Sequence, residues 1–314
     1  MKIQVKIKLL FNHVLFQFIV HSCCTLVMAK PIYFTNDIPL SVFTVSQNDT
    51  FQLTPITFTS NGSKLQGYIS TAPGKGPHPT IVLLHGSPGG PRDVLGLAKV
   101  IPNAGWNALA FTFRGYWNSE GTYSMKNTLE DVFAALNFLR SNEVLRKYKI
   151  DVDNLALAGY SYGGGMALIA AANESTIRYV ISIAAADMSE IARQLRKSRE
   201  FREMISAELD KDFEGPIKGP GGEKAIEEAL RDSDKYDLVK HAQDLSEKEL
   251  LIISGWRDQQ TTLEGHALPI IRALQSIGSE DITKVILETD HSFSGKKDEL
   301  RNIIISWLKN RQLR

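Results

Sequence analysis

From residue 80 onward, short and nearly continuous apolar runs alternate with stretches of helical periodicity. Such uniform apolar runs are typical of strands buried on both faces, and intervening helices are typical of a parallel sheet. We therefore predict an α/β fold with a mainly parallel central sheet and helices on both faces. The predicted strands are 80–84, 107–113, 154–158, 178–185, 250–253 and 284–287. The predicted helices are 91–103, a segment with apolar positions from 129 to 139, 162–172, 263–277 and 297–310.

Two further segments precede this alternation. Residues 56–69 alternate apolar and polar positions around Asn61-Gly62, a dipeptide that favours a two-residue hairpin turn. Residues 31–52 are polar and extended, and we expect them to pack over an edge of the sheet or to be partly loose. The sheet is therefore predicted to begin with a hairpin, ahead of its parallel strands.

Residues 187–249 interrupt the alternation of strands and helices. They are dense in Arg, Lys, Glu and Asp, which predicts solvated helices inserted before the penultimate strand. A charged outer face is the simpler interpretation. A lid over the site is the alternative, because open parallel sheets bind ligands at the carboxyl ends of their strands, where such insertions emerge.

Composition and charge indicate a single large domain and exclude nucleic acid as an expected binding partner. The chain has 314 residues, 43% of them hydrophobic, which is enough for one large domain with a sizeable core. Its 36 basic and 35 acidic residues nearly cancel. This balance leaves no electrostatic footprint for nucleic acid, and we predict none as a partner.

The first 29 residues have the features of a secretory signal peptide. A basic start without acids leads into an apolar stretch, and Val27-Met28-Ala29 is a small-residue cleavage site. We predict cleavage after Ala29 and a single large domain over 30–314. A membrane anchor is the alternative, which the polar residues inside the apolar stretch disfavour. Lipid attachment at Cys23 is a third interpretation.

Both cysteines, Cys23 and Cys24, lie in this N-terminal segment. After cleavage, the chain would have no disulfide, no thiolate metal site and no cysteine nucleophile. We expect an exported protein, periplasmic or extracellular, that meets the membrane only transiently through its signal. An uncleaved segment would instead leave it anchored to the membrane.

The clearest chemical motif is G-x-S-x-G at Gly159–Gly163, between a predicted strand and a predicted helix. A serine at that corner adopts a strained backbone conformation, and the crowded turn requires glycine two residues before and after it. The strain exposes the hydroxyl, and the following helix directs its amino end at the same place. We predict Ser161 as a nucleophile. The phosphate-binding patterns G-x-G-x-x-G and G-K-[ST] are both absent from the sequence.

A serine nucleophile needs a base, and in this architecture the chain order is serine, acid, histidine. His291 follows the last predicted strand, in a loop that would face the cleft, and we predict it as the base. After the predicted cleavage, the other histidines are His78, His241 and His266, expected at the surface, and His85, which precedes the serine.

The acid that orients the base is expected after the preceding strand. Asp258 stands there, and we favour it. Asp290 is a rival, but a sequence neighbour cannot easily reach the imidazole beside it. Glu264 is a weaker rival at the start of a helix.

The oxyanion of acyl transfer needs N–H donors. Residues 85–90 follow the first buried strand, and the small residues among them let backbone N–H groups approach the reacting carbonyl. We predict the N–H groups of Ser87 and Tyr162 as donors, with that of Gly86 as the fallback for Ser87.

From about residue 56 to 307, the chain resembles an α/β-hydrolase, closest to the prolyl-oligopeptidase or dipeptidyl-aminopeptidase-like branch. The resemblance implies a Ser161–Asp258–His291 triad, oxyanion N–H groups from Ser87 and Tyr162, and a structural role for Arg114 in bracing the loop after its strand. The landmarks that match in order are the hairpin ahead of 79–90, and the stretches 113–121, 152–165, 254–261 and 289–293.

These inferences predict an exported serine hydrolase that cleaves ester-type acyl bonds without a metal or cofactor. The substrate would be a small-molecule ester, a thioester or a short peptide, and the oligomeric state stays open. Ester is favoured because its leaving group is easier to expel and no peptide-binding module is visible. Tyr116, Trp117 and Tyr160 are candidates to line an apolar acyl pocket. The alternatives are a serine peptidase of the same branch and a catalytically silent binding module.

Overall fold

A computed structural model of the protein describes residues 51–90 and 94–312, and the backbone of 32–34. Within these residues the strands are β1 (Ile32–Phe34), β2 (Thr54–Ser60), β3 (Ser63–Ser70), β4 (His78–Leu84), β5 (Asn107–Phe111), β6 (Ile150–Tyr160), β7 (Tyr179–Ile183), β8 (Glu249–Gly255) and β9 (Ile282–Leu287). The α-helices are α1 (Met125–Leu139), α2 (Asn142–Tyr148), α3 (Tyr162–Ala172), α4 (Met188–Lys197), α5 (Arg199–Glu214), α6 (Gly222–Asp232), α7 (Ala242–Leu245), α8 (Leu268–Ser276) and α9 (Lys297–Gln312).

The strands form one sheet in the order β1-β9-β8-β7-β6-β4-β5-β3-β2. The six strands from β9 to β5 in this order are parallel, while β1, β3 and β2 are antiparallel to their neighbours. The predicted hairpin is confirmed, with β2 and β3 joined at Asn61-Gly62. The predicted mainly parallel α/β fold is confirmed as well.

Helices cover both faces of this sheet because alternate strand residues point to opposite sides. In β4, Val82 and Leu84 belong to one core cluster, and Ile81 and Leu83 belong to the other. Helices α1, α3 and α8 contribute to the first cluster, and α9 contributes to the second. All four β4 residues are fully buried, which explains the continuous apolar run in the sequence.

The sheet brings the ends of distant strands to one edge. Strand β4 lies between β5 and β6, so the strand order reverses direction beside it. Ligand sites of open α/β sheets lie at such a switch point, outside the carboxyl ends of the strands. Leu84 pairs with Gly159, and Gly255 pairs with Leu287, so the four loops that follow these strands leave at this edge.

The helix predicted at 91–103 is wrong over its described part. That part holds two 3₁₀-helices, Leu97–Lys99 and Ile101–Ala104, instead of one α-helix. Leu95 and Gly96 have positive φ angles of 54° and 80°, which an α-helix does not accommodate. Helix α2 was not anticipated by the sequence pattern, because its seven residues are too few for a periodic signal.

The insertion at 187–249 is helical, as predicted, and contains α4 to α7. Asp187 is the N-cap of helix α4, and its carboxylate accepts the N–H groups of Ser189 and Glu190. Helix α6 buries apolar residues, whereas α5 has no fully buried residue. The loop after α5 pairs with the loop after β5 through Lys218 N–H to Gly115 O at 2.7 Å, which ties this part of the insertion to the sheet.

The predicted signal peptide at 1–29 lies outside the described residues. Strand β1 pairs with β9 at an edge of the sheet, in agreement with the expected edge packing of part of 31–52. Across residues 51–90 and 94–312, no helix is both long enough and apolar enough to cross a membrane.

Candidate active site

Ser161 occupies a sharp turn between the end of β6 and the start of α3. Its backbone angles are φ 55° and ψ −119°, an unusual conformation for a residue with a side chain. The turn excludes larger neighbours, since a Cβ on Gly159 would lie 2.0 Å from Gly163 O, and one on Gly163 would lie 2.4 Å from Leu84 O. The two glycines of the motif are therefore required by close backbone approach, as the sequence indicated.

The structure brings Ser161, His291 and Asp258 together in one chain of hydrogen bonds. The Nε2 atom of His291 lies 3.0 Å from Ser161 Oγ, and its Nδ1 atom lies 2.7 Å from Asp258 Oδ2. Because a carboxylate only accepts, Nδ1 carries the hydrogen and Nε2 is free to accept the serine proton. These three residues follow β6, β9 and β8, which all end at the same edge of the sheet.

Asp258 is buried, at 4% exposure, yet it is held as a carboxylate. Burial raises its pKa, but hydrogen bonds from His291 and from the backbone and side chain of Thr261 outweigh burial and hold the pKa below its ordinary value. The Gln260 N–H also donates to Asp258 Oδ1, at 2.8 Å. A charged Asp258 is the form that stabilises a protonated imidazole.

The two rival acids do not reach the imidazole. Asp290 accepts the Ser294 N–H at 2.9 Å, and Glu264 is exposed in a single π-helical turn at Leu263–Ala267. Tyr160 holds the histidine loop from the other side, because its hydroxyl donates to His291 O at 3.1 Å and its ring lies 5.1 Å from the imidazole.

The expected surface positions of two other histidines are wrong. His78 is buried at the start of β4, where its N–H donates to Lys149 O. His266 is 2% exposed, and its Nδ1 accepts the Asp187 N–H at 3.0 Å. Burial lowers the pKa of His266. Local sequence patterns missed both because their burial depends on contacts with distant segments.

His85 fixes the loop that follows β4. Its Nε2 accepts the Phe113 N–H at 3.3 Å, so Nδ1 carries the hydrogen and donates to Gly86 O at 2.6 Å. Complete burial lowers the pKa of His85 to about 4, so the ring is neutral at pH 7. In the trans peptide between Gly86 and Ser87, the Ser87 N–H points away from the carbonyl that His85 binds.

Of the predicted oxyanion donors, Tyr162 directly follows the serine in the chain, and Ser87 directly follows Gly86, which lies beside the serine. Gly86 lies so close that a Cβ placed on it would be 3.2 Å from the Ser161 Cβ. Tyr162 is the first residue of α3, where N–H groups have no partner within the helix. Ser87 is exposed, and its hydroxyl lies 3.2 Å from the hydroxyl of Tyr116.

The three aromatic side chains considered for an acyl pocket contact the loops of the site. Tyr116 is buried against His85, at a ring distance of 4.9 Å, and Tyr160 packs on His291 as described above. Trp117 is 41% exposed and donates its indole N–H to the carbonyl of Gly89 at 2.9 Å and of Pro88 at 3.2 Å. Trp117 therefore holds the loop after β4 from outside, a role that no sequence signal indicated.

Arg114 braces the loop after β5, as the resemblance implied. Its backbone N–H and its Nε both donate to Asp131, each at 2.6 Å, and Asp131 is fully buried in α1. Its guanidinium also contacts Glu130 at 2.7 Å. Among residues 51–90 and 94–312, no three His, Cys, Asp or Glu side chains are grouped so as to hold a metal ion.

The strand order and the serine turn together define the α/β-hydrolase class. The acylaminoacyl peptidase of Pyrococcus horikoshii has the same fold, with a TM-score of 0.60 and 19% identity over 84% of this chain and 42% of its own. The esterase Pf2001 of Pyrococcus furiosus also shares it, with a TM-score of 0.57 and 16% identity over 83% of this chain and 91% of its own. At these identities, the likeness shows the fold alone.

Sequence comparison identifies the family. The model of the prolyl oligopeptidase family matches residues 115–311, more than half of the chain, and the chain therefore belongs to this family of serine hydrolases. The model of the X-Pro dipeptidyl-peptidase (S15) family matches residues 25–204. A protein of Escherichia coli O157:H7 described as "Uncharacterized protein YfhR" is 30% identical over 139 residues, which span 42% of this chain. This match covers 47% of that relative, so the chain spans about half the length of the relative.

Proposed function

We propose that the protein is a serine hydrolase that cleaves ester-type acyl bonds through an acyl-enzyme. The observation that carries this proposal is the hydrogen-bond chain from Ser161 Oγ through His291 to Asp258, with distances of 3.0 and 2.7 Å. Such an arrangement activates a hydroxyl that is otherwise a poor nucleophile.

The first half of the reaction transfers the acyl group to the enzyme. Ser161 Oγ bonds to the ester carbonyl carbon, its proton passes to His291 Nε2, and the carbonyl oxygen becomes an oxyanion. The N–H groups of Ser87 and Tyr162 stabilise this oxyanion, each by about 3 kcal/mol in the transition state. The bond between carbon and the alcohol oxygen then breaks, and His291 returns the proton to the leaving alcohol.

Water completes the cycle by the same steps in reverse order. It bonds to the acyl carbon while His291 takes one of its protons, and the bond to Ser161 Oγ then breaks. Ser161 regains its proton from His291, and a carboxylic acid leaves. Asp258 stays ionised throughout, since its carboxylate stabilises the imidazolium that forms twice in each turnover.

The preference for esters over peptides has two supports. An alcohol is a better leaving group than an amine, so an ester demands less of the general acid. The structural likeness also covers 91% of the esterase Pf2001, whereas it covers 42% of the acylaminoacyl peptidase. Membership of the prolyl oligopeptidase family supports the second candidate, a serine peptidase that acts on short peptides.

A fluorophosphonate probe tests whether Ser161 is a nucleophile. We expect the wild-type protein and Ser276→Ala, a change at an exposed serine on α8, to be labelled, and Ser161→Ala to stay unlabelled. No labelling of folded wild-type protein would support the silent binding module instead. Hydrolysis of p-nitrophenyl esters against aminoacyl-anilides then separates the two enzymes, and turnover of the anilides alone would establish the peptidase.

The location of the protein is a separate proposal that is based on the sequence of residues 1–29. We propose that this segment directs export to the periplasm or the exterior and is removed after Ala29. N-terminal sequencing of the exported protein should begin at Lys30. A chain that still begins at Met1 would instead favour membrane anchoring by the uncleaved segment.

A further inference from the structure

Thr261 contacts the Asp258–His291 pair directly, although the sequence analysis assigned it no role. Its hydroxyl lies 2.7 Å from Asp258 Oδ2, the same oxygen that contacts His291 Nδ1. It also lies 3.3 Å from His291 Nδ1 itself, and the residue is 5% exposed. A buried hydroxyl at this place acts on the carboxylate rather than on solvent.

The carboxylate of Asp258 uses all of its acceptor capacity in these contacts. Oδ1 accepts the N–H groups of Gln260 and Thr261 at 2.8 and 2.9 Å, while Oδ2 accepts His291 Nδ1–H and the Thr261 hydroxyl. The contacts at Oδ1 come from the backbone of residues 260 and 261, so any residue other than proline supplies them at these positions. The contact at Oδ2 requires a hydroxyl side chain.

The hydroxyl also lies 3.0 Å from Ala184 O, just beyond the end of β7. A hydroxyl has one proton, and the charged oxygen at the shorter distance is the stronger acceptor. We therefore assign the proton to Asp258 Oδ2. The Ala184 carbonyl belongs to the neighbouring strand end, which Thr261 contacts.

We propose that Thr261 is a positioning residue, whose hydroxyl holds Oδ2 of Asp258 in the orientation that takes the Nδ1–H of His291. This inference rests on the proposed function, in which that imidazole is the base. It deepens the proposal by adding a fourth member to the chain of hydrogen bonds. The nucleophile is affected only through His291.

Loss of the Thr261 hydroxyl should shift the pH profile of the reaction in a defined direction. Without it, the charge of Asp258 is less neutralised and stabilises the imidazolium more strongly, while the carboxylate is less well oriented. The other titratable groups around this pair are Tyr160, His266 and Asp290, and a threonine-to-valine change alters none of their charges. A shift in the pH profile therefore reports the missing hydroxyl.

The test compares Thr261→Val with Thr261→Ser on a p-nitrophenyl ester. For Thr261→Val, we expect kcat to fall by about tenfold with little change in KM, and the acid limb of kcat/KM to move to higher pH. Thr261→Ser restores the hydroxyl and should recover both properties. If Thr261→Val does not fold, the smaller Thr261→Ala replaces it.

A second measurement does not depend on turnover. The His291 Nδ1–H proton is followed by low-field NMR of the resting protein, and its assignment is checked with His291→Ala. We expect its chemical shift to change in Thr261→Val and to return in Thr261→Ser. An unchanged resonance and pH profile in Thr261→Val, or a Thr261→Ser variant that behaves like Thr261→Val, would overturn the inference. Absence of ester and anilide turnover by the wild-type protein would overturn the proposed function, while the NMR comparison would still decide the role of Thr261.

Discussion

The carboxylate of Asp258 lies 2.7 Å from Nδ1 of His291, although the two residues are 33 positions apart in the sequence. Asp290, the immediate neighbour of His291, instead accepts the N–H of Ser294. The acid that contacts His291 is therefore the one that follows the neighbouring parallel strand β8, and not the one next to it in the sequence.

Asp258→Asn should lower kcat by roughly 10³-fold or more for ester hydrolysis. An amide in place of the carboxylate neither stabilises the imidazolium nor keeps the hydrogen on Nδ1 of His291. Asp290→Asn is the matched control, with the same chemical change on an exposed side chain, and its kcat should stay close to that of the wild type. A large loss in Asp290→Asn together with near-normal turnover in Asp258→Asn would reverse the assignment.

A second prediction concerns the loop after β4. Trp117→Phe keeps an aromatic ring but removes the indole N–H that donates to Gly89 O and Pro88 O. We expect kcat to fall by about tenfold, because a looser loop places the Ser87 N–H less well on the oxyanion. The free energy of unfolding should change little, since the side chain is 41% exposed.

The control for this prediction is Trp256→Phe, at an even more exposed tryptophan in the loop after β8. Steady-state kinetics and urea unfolding are measured for both variants. Equal effects of the two substitutions on kcat would show that the indole N–H of Trp117 has no particular role in holding the loop.

A third prediction concerns stability. Arg114→Met keeps the backbone N–H that donates to Asp131 but removes the guanidinium from this buried carboxylate, and it should lower the free energy of unfolding by about 3–5 kcal/mol. Glu130→Gln removes the more exposed ion pair of the same arginine and should cost about 1 kcal/mol or less. Urea unfolding of both variants checks this ranking. Similar losses of stability in the two variants would show that burial does not decide how much each ion pair contributes to the free energy of unfolding.

Much of the fold is predictable because its signals are local. The buried strands are marked by uninterrupted apolar runs, and the helix at 162–172 matches α3 in the structure at both ends. Ser161 stands out because a sharp turn requires glycines at fixed positions. His291 and Asp258 are then found by topology, since the ends of neighbouring parallel strands meet at one edge of the sheet.

The remaining features depend on contacts between loops that the sequence does not encode locally. Thr261 is important because its loop meets the loop of His291, and Trp117 is important because its indole reaches Gly89. The burial of His266 likewise depends on the N–H of Asp187, 79 residues away. Residue types alone did not distinguish these side chains from ordinary surface or core positions.

The last prediction follows from the buried, neutral ring of His85. Its pKa is lowered from 6.5 to about 4 in the folded protein, because burial penalises the charged form. Below pH 6.5, the unfolded chain takes up a proton at this residue that the folded chain does not. The neutral ring therefore makes its full contribution to the free energy of unfolding above pH 6.5. This contribution, on the order of 3 kcal/mol, is lost as the pH falls to about 4.

The measurement compares the wild type with His85→Asn, whose amide offers an N–H at the position of Nδ1 but does not titrate. Urea unfolding is followed at several values between pH 7.5 and about pH 4. Other groups with shifted pKa values, such as Asp258 and His266, are present in both proteins and cancel in the difference. We expect the wild type to lose stability more steeply than the variant over this range, so that the gap between them narrows. Two parallel curves would mean that His85 is not held neutral by burial and that its ring protonates in the folded protein as readily as in the unfolded chain.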